Sequence, residues 1–322
     1  MSSRRALLLQ WAVEGAIPHD RLREAFAVAR VTPTAVQWRV FLDRALLWSG
    51  VIMLAAALIF FIAYNWNVLG RWARFALVEI LIVLALAAYW KLGSERPAGK
   101  AALVAASILL GALLALFGQT YQTGADTWQL FAMWAALIVP WVLIGRQAGL
   151  WLLWLALVNA AAVLYFQVFR GALWLAFGGE GMWLLILVLN TVALVLWELA
   201  AKRFDWLHER WAMRLPALAA GSAVTVLLLQ LIFDSHGTGH APILIYPVWI
   251  GAAFVAYRLV VPDLFVLAGL CLSLIVAVTC FLSKTMLDHS NGGGFLFIAL
   301  VVIAMSAGAA IWLRAVGRTL RA

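Results

Sequence analysis

Gly118-Gln-Thr-Tyr-Gln-Thr-Gly-Ala-Asp126, closed by Trp128, is the stretch that decides how this chain is read. It holds no Lys or Arg, and long apolar runs flank it on both sides. Two amides, a phenol and a carboxylate set between such runs mark a place where the chain leaves a membrane, turns and goes back in.

The composition supports that reading. Of 322 residues, 66% are hydrophobic and 11% are charged, and the mean hydropathy is +1.00. A soluble domain carries about 25% charged residues. The net charge of +9 needs no nucleic-acid partner, because cytoplasmic loops of membrane proteins collect Lys and Arg. No nucleic-acid-binding signature is present, and no nucleic-acid partner is expected.

A helix crosses the hydrocarbon core in about 20 residues. Working outward from the central turn, the runs 45–65, 72–92, 101–118, 128–146, 149–168, 182–200, 216–234, 242–259, 263–282 and 294–314 are long and apolar enough. The expected fold is therefore all-α, a polytopic bundle of about ten transmembrane spans. Ala172 to Gly181 is also apolar, but Gly178-Gly179-Glu180-Gly181 breaks it, so an interfacial half-helix is expected before the sixth span.

Charge tests the count. With the N-terminus in the cytoplasm and sides alternating, nineteen of the 23 Lys and Arg fall inside. Arg71, Arg74, Arg170 and Lys284 fall outside. Both termini are then cytoplasmic. The chain divides into a helical region over 1–44, a membrane domain over 45–314 and a short basic tail over 315–322.

Within 1–44, Leu7, Leu8 and Trp11 sit at helical spacing and Gly15 is a stop. Pro18 opens a second helix, with Asp20 and Glu24 near its N-terminal end. Thr32-Pro33 is read as the N-cap and first residue of a third helix that runs on into the membrane. No cleavable signal peptide is expected, since the first long apolar run starts only near Leu46.

Trp48, Trp66, Trp72, Trp90, Trp128, Trp151 and Trp312 lie near span ends, where amphipathic rings favour the headgroup level. Small residues at spacings of three and four, such as Ala217, Gly221 and Thr225, allow close helix approach. A weak echo links the ends of the first and third spans, through Tyr64-Asn-Trp66 and Gly118-Gln-Thr-Tyr121. Parallel repeats of this kind occur in transporters.

The helix carrying Trp11 and Gly15-Ala-Ile17, Asn65-Trp66, and Gly118-Gln-Thr-Tyr121 with Gly124-Ala-Asp126 together resemble the bacterial predicted-membrane-protein family known as domain of unknown function 2157. The resemblance covers about the first half of the chain. It implies a bacterial inner-membrane protein with a cytoplasmic N-terminal helical region, and it carries no functional residue.

The candidate site residues are polar ones in apolar surroundings. Gln119, Tyr121, Gln122 and Asp126 form an expected outward-facing pocket, roofed by Asn65 and Trp66. Glu79 lies about seven residues, roughly 10 Å, into the second span. It reads as a buried ionisable group, either a proton or cation site or a partner of Arg74. Asn159 and Asn190 fall near the midplane of adjacent antiparallel spans, where they can hydrogen-bond to each other. His236 and His240 are separated by a Gly-containing loop and lack a third ligand nearby, so no metal is expected. Cys271 and Cys280 point to opposite sides of one helix and cannot pair.

No Gly-x-Ser-x-Gly, Walker, Gly-x-Gly-x-x-Gly or His-Glu-x-x-His motif occurs. The chain reads as no enzyme, with no cofactor. Two functions remain. One is transport of a small polar solute, resting on the buried Glu79 and the midplane amides. The other is a non-transporting sensor, scaffold or accessory protein. It would bind an envelope component at Tyr121 and Asp126 and dock a protein partner through residues 1–44.

Overall fold

The computed structural model describes residues 4–29, 33–169, 180–233, 241–287 and 293–320. Among these residues the chain is helical throughout, with no strand. The half-helix expected before the sixth span, His236 and His240 lie outside the described residues, as do Arg30, Arg170 and Arg321.

Two short helices come first, α1 (Arg4–Val13) and α2 (Leu22–Val28), the latter led in by a 3-10 turn at His19–Arg21. Gly15 makes the turn between them at φ 75°, where a side chain would be strained. Ala16 and Ile17 donate back to the Trp11 carbonyl, which closes the end of α1. Leu8 and Ala12 are buried where α1 meets α2.

Ten long helices follow. They are α3 (Ala35–Tyr64), α4 (Arg71–Leu92), α5 (Pro97–Tyr121), α6 (Thr127–Gly145), α7 (Ala148–Val168), α8 (Gly181–Ala201), α9 (Arg210–Phe233), α10 (Ala241–Val255), α11 (Leu264–Leu287) and α12 (Gly293–Thr319). A π-turn at Ala256–Val260 extends α10. All ten are long and apolar enough to cross a membrane. The chain is a polytopic transmembrane helical protein.

The start of α3 corrects one expectation. Its N-cap is Thr34, not Thr32. The Gln37 amide N–H donates to Thr34 Oγ1 at 3.2 Å, and the Thr34 N–H donates to Gln37 Oε1 at 2.9 Å. A reciprocal box needs Glu or Gln three residues after the cap. Thr34 has Gln37 there, whereas Thr32 has Ala35. From this cap the third helix runs without a break to Tyr64.

The chain forms two compact units, one ending at Leu109 and one running from Leu110 to Leu320. In the first, the α3–α4 turn is held by its own residues. Asn65 caps α3, its side chain donating to the Phe61 carbonyl at 2.9 Å. Arg74 donates to the Leu69 carbonyl at 2.9 Å and stacks 3.8 Å from the Trp66 ring centroid. A guanidinium over an indole gains cation–π attraction at a membrane edge.

The second unit is built around α9. Ala220, Ala223, Val224 and Leu227 are wholly buried along it at helical spacing. Helix α9 packs on α8, α10 and α11, while α6 pairs with α7 and α11 with α12. Lipid tails supply little hydrophobic drive between helices, so close packing and hydroxyl contacts must hold them. Both occur here. The Trp249 ring lies over Gly221, where even a Cβ would meet it at ordinary van der Waals distance, 3.6 Å. Thr225 Oγ1 lies 2.7 Å from Ser273 Oγ, which lies 3.0 Å from the Tyr246 hydroxyl. Trp249 Nε1 donates to Thr191 Oγ1 at 2.9 Å. Lys284 Nζ donates to the Ile232 carbonyl, joining α11 to α9.

Candidate functional site

Between the C-terminal part of α5 and the start of α6 lies a cavity of about 1030 Å³. It exists because these backbones stand apart, unlike the close pairs α6–α7 and α8–α9. Five residues, Gln122 to Asp126, join the two helices. Below the cavity the Trp134 ring lies against Gly111, where a Cβ atom would sit 2.4 Å from it.

The upper lining holds Gln119, Gln122, Asp126, Thr127, Trp128 and Gln129. Gln119, Gln122 and Asp126 are exposed. Gln122 occupies the left-handed region at φ 45°, an uncommon state for a residue with a side chain. It caps α5 where glycine would be the easier choice. Asp126 is the N-cap of α6, yet its carboxylate makes no capping hydrogen bond. Trp128 Nε1 is buried and has no hydrogen-bond acceptor among the described residues. The indole stands edge-on to Tyr165 at 5.0 Å.

Tyr121 does not line this cavity. Its ring packs on Phe117 at 4.8 Å, one helical turn back. That is the nearest aromatic neighbour a helix offers to position 121. Asn65 and Trp66 belong to the first unit and are engaged in the α3–α4 turn described above.

Glu79 departs from the environment expected of it. It is exposed on α4, beside the buried Val78 and Ile82. It makes no hydrogen bond or ion pair with the described residues. Arg74, its expected partner, is committed to Leu69 and Trp66. Within its own unit the carboxylate is therefore not enclosed.

Asn159 of α7 and Asn190 of α8 do meet. Asn190 Nδ2 donates to Asn159 Oδ1 at 2.6 Å, and Asn159 Nδ2 lies 3.4 Å from Asn190 Oδ1. Each side-chain amide also donates to a carbonyl of its own helix, Leu155 or Ile186, four residues back. Asn190 is 1% exposed. Both amides are satisfied by protein and form a helix–helix clasp. Replacing either one by Leu strands the other's polar group, and should cost about 1 kcal/mol. The double Leu variant should recover most of that loss. Equilibrium unfolding in detergent of both singles and the double variant measures it.

A second polar cluster joins α8, α9, α10 and α11. Arg214 donates from Nε and Nη2 to Asp263 Oδ2 at 3.2 and 3.1 Å. Arg210 Nε lies 3.4 Å from the same oxygen, and its Nη1 lies 3.5 Å from Glu198 Oε2. The Tyr257 hydroxyl donates to Glu198 Oε1 at 3.2 Å. Asp263 Oδ1 accepts the Phe265 and Val266 N–H groups, capping α11. The Asp263 side chain is 2% exposed, and each arginine about a third exposed. Neither arginine nor its acidic partners stand out in the sequence, where both arginines fall just ahead of the seventh apolar run. The legible signal was Asp263 just before the apolar run Leu264–Leu267, an N-cap position.

No group of three or more His, Cys, Asp or Glu able to hold a metal occurs among the described residues. Residues 9–151 match the model of a protein family described as "Predicted membrane protein (DUF2157)". No curated protein and no solved structure matches the chain.

Proposed function

We propose that the chain, whose residues 9–151 match that family of predicted membrane proteins, works as a non-transporting receptor or accessory protein. It sits in a bacterial inner membrane with both termini cytoplasmic, binds an envelope component in the α5–α6 groove, and docks a protein partner through the helices before α3. It is a binding protein rather than an enzyme.

One observation carries this reading. Three amides, two hydroxyls and the Asp126 carboxylate line one open groove at one end of α5, the end remote from Lys100. The midplane amides, which a transport path would need, are consumed by each other. The left-handed Gln122 adds support. A side chain held where glycine is favoured costs conformational energy, and such positions gather at ligand sites.

The test places a photo-crosslinking amino acid at Gln119, on the last turn of α5, in cells. One adduct of defined mass is expected. Gln122→Gly, which removes the side chain while easing the backbone, should keep the protein folded and lose the adduct. An unchanged adduct in Gln122→Gly, or only a smear of random products, would overturn the reading.

A further inference from the structure

The groove changes character along its length. On the α6 side it begins at Asp126 and Thr127 and ends at Met133 and Ala136. Ten helical residues separate Asp126 from Ala136, about 15 Å along the axis. On the α5 side it passes from Gln122 and Gln119 down to Ala115 and Leu114. The upper half is amide, hydroxyl and carboxylate, and the lower half is hydrocarbon. A freely soluble solute would leave the lower half unmatched. A bare hydrocarbon would bury the upper amides without partners, which is costly.

The upper half also selects among head groups. Among the described residues that line it, Asp126 is the only charged one, and none is Lys or Arg. A phosphate head would meet a like charge and no cation. Gln119, Gln122 and Gln129 each offer both donors and acceptors, as hydroxyl groups do. Trp128 adds a flat apolar ring face. A volume of about 1030 Å³ suits a head group together with part of a chain.

Resting on the groove-binding reading above, we propose that the ligand is a glycosylated lipid. An uncharged, hydroxyl-rich head is held by Gln122, Asp126 and Gln129. One hydrocarbon chain runs down past Ala115 and Met133 towards Ala136. The gap between α5 and α6 opens the lower half to the bilayer, so the chain enters sideways without leaving lipid.

The experiment uses the full chain with Cys271 and Cys280 replaced by Ser, carrying either Ala125→Cys in the upper lining or Met133→Cys in the lower, in detergent. The rate of modification by a small maleimide is read with monoglucosyl diacylglycerol, with phosphatidylglycerol of the same chains, and with glucose. The glucolipid is expected to slow both cysteines at least tenfold, and the other two additives to slow neither. Asp126→Lys should invert the order, with phosphatidylglycerol now protecting. Equal protection by both lipids would overturn the proposal, because the head group would not be read. Protection of Ala125→Cys by glucose, with Met133→Cys unaffected, would also overturn it, and would leave a groove for soluble ligands. No protection by any additive overturns the glycolipid alone. Failure of groove binding itself shows separately, as a missing photo-adduct at Gln119.

Discussion

Replacing Arg210 and Arg214 together by Met is expected to destabilise the protein by about 3–5 kcal/mol, the usual cost of leaving a buried charge uncompensated. The Asp263 carboxylate is 2% exposed, and both arginines direct guanidinium nitrogens to one of its oxygens. The reverse change, Asp263→Ala, should cost less, about 2 kcal/mol. It leaves arginines that are about a third exposed and can turn to water. It also removes the α11 cap, worth about 1 kcal/mol. Adding Asp263→Asn to the double Met variant should restore most of the stability, since Asn caps a helix well and carries no charge. Unfolding in mixed detergent gives all three values. A loss below about 1 kcal/mol in the double variant would show that the cluster is only a surface ion pair.

The second large effect is expected at Gly111. A Cβ there would lie 2.4 Å from the Trp134 ring, and no real Cβ tolerates that approach. Overpacking of this kind costs about 1–3 kcal/mol, and more for larger side chains. Gly111→Leu should therefore fall at or above the top of that range and push Trp134 towards the groove. Gly269 supplies the control, because a Cβ there meets nothing within 4 Å. Gly269→Ala should be neutral or slightly stabilising through helix propensity. Gly111→Leu combined with Trp134→Ala should recover part of the loss. Thermal melts in detergent compare the set, and similar values for Gly111→Leu and Gly269→Ala would refute the packing argument.

The ten spans were legible because bilayer thickness fixes a length that hydropathy reports directly. The Asn159–Asn190 clasp was legible for a related reason. Two amides at similar depth in consecutive antiparallel helices have few other partners. The side taken by Glu79 was not legible. Both faces of a helix such as α4 are apolar, so no periodicity tells which one meets lipid. The Arg210–Asp263 cluster was hidden by separation, since Asp263 lies about 50 residues beyond both arginines and meets them only through helix register. The Thr34 cap could have been read, because Gln37 completes a box that Thr32 cannot form. At the site, the polar run 118–126 marked the groove correctly as a place of unusual composition. It could not show that Tyr121 turns back onto Phe117.

The central claim is a solid helical core with an open groove at one end. Single cysteines at Gln122, Asn159 and Glu79, in protein lacking Cys271 and Cys280, test it when a membrane-impermeant thiol reagent is applied from each side in turn. The account predicts that Gln122→Cys is modified from the periplasmic side alone and that Asn159→Cys is modified from neither. Glu79→Cys, exposed on α4 at membrane depth, should also resist a reagent confined to water. Modification of Asn159→Cys or Glu79→Cys from both sides would reveal an aqueous path through the membrane, and the protein would have to be read as a transporter.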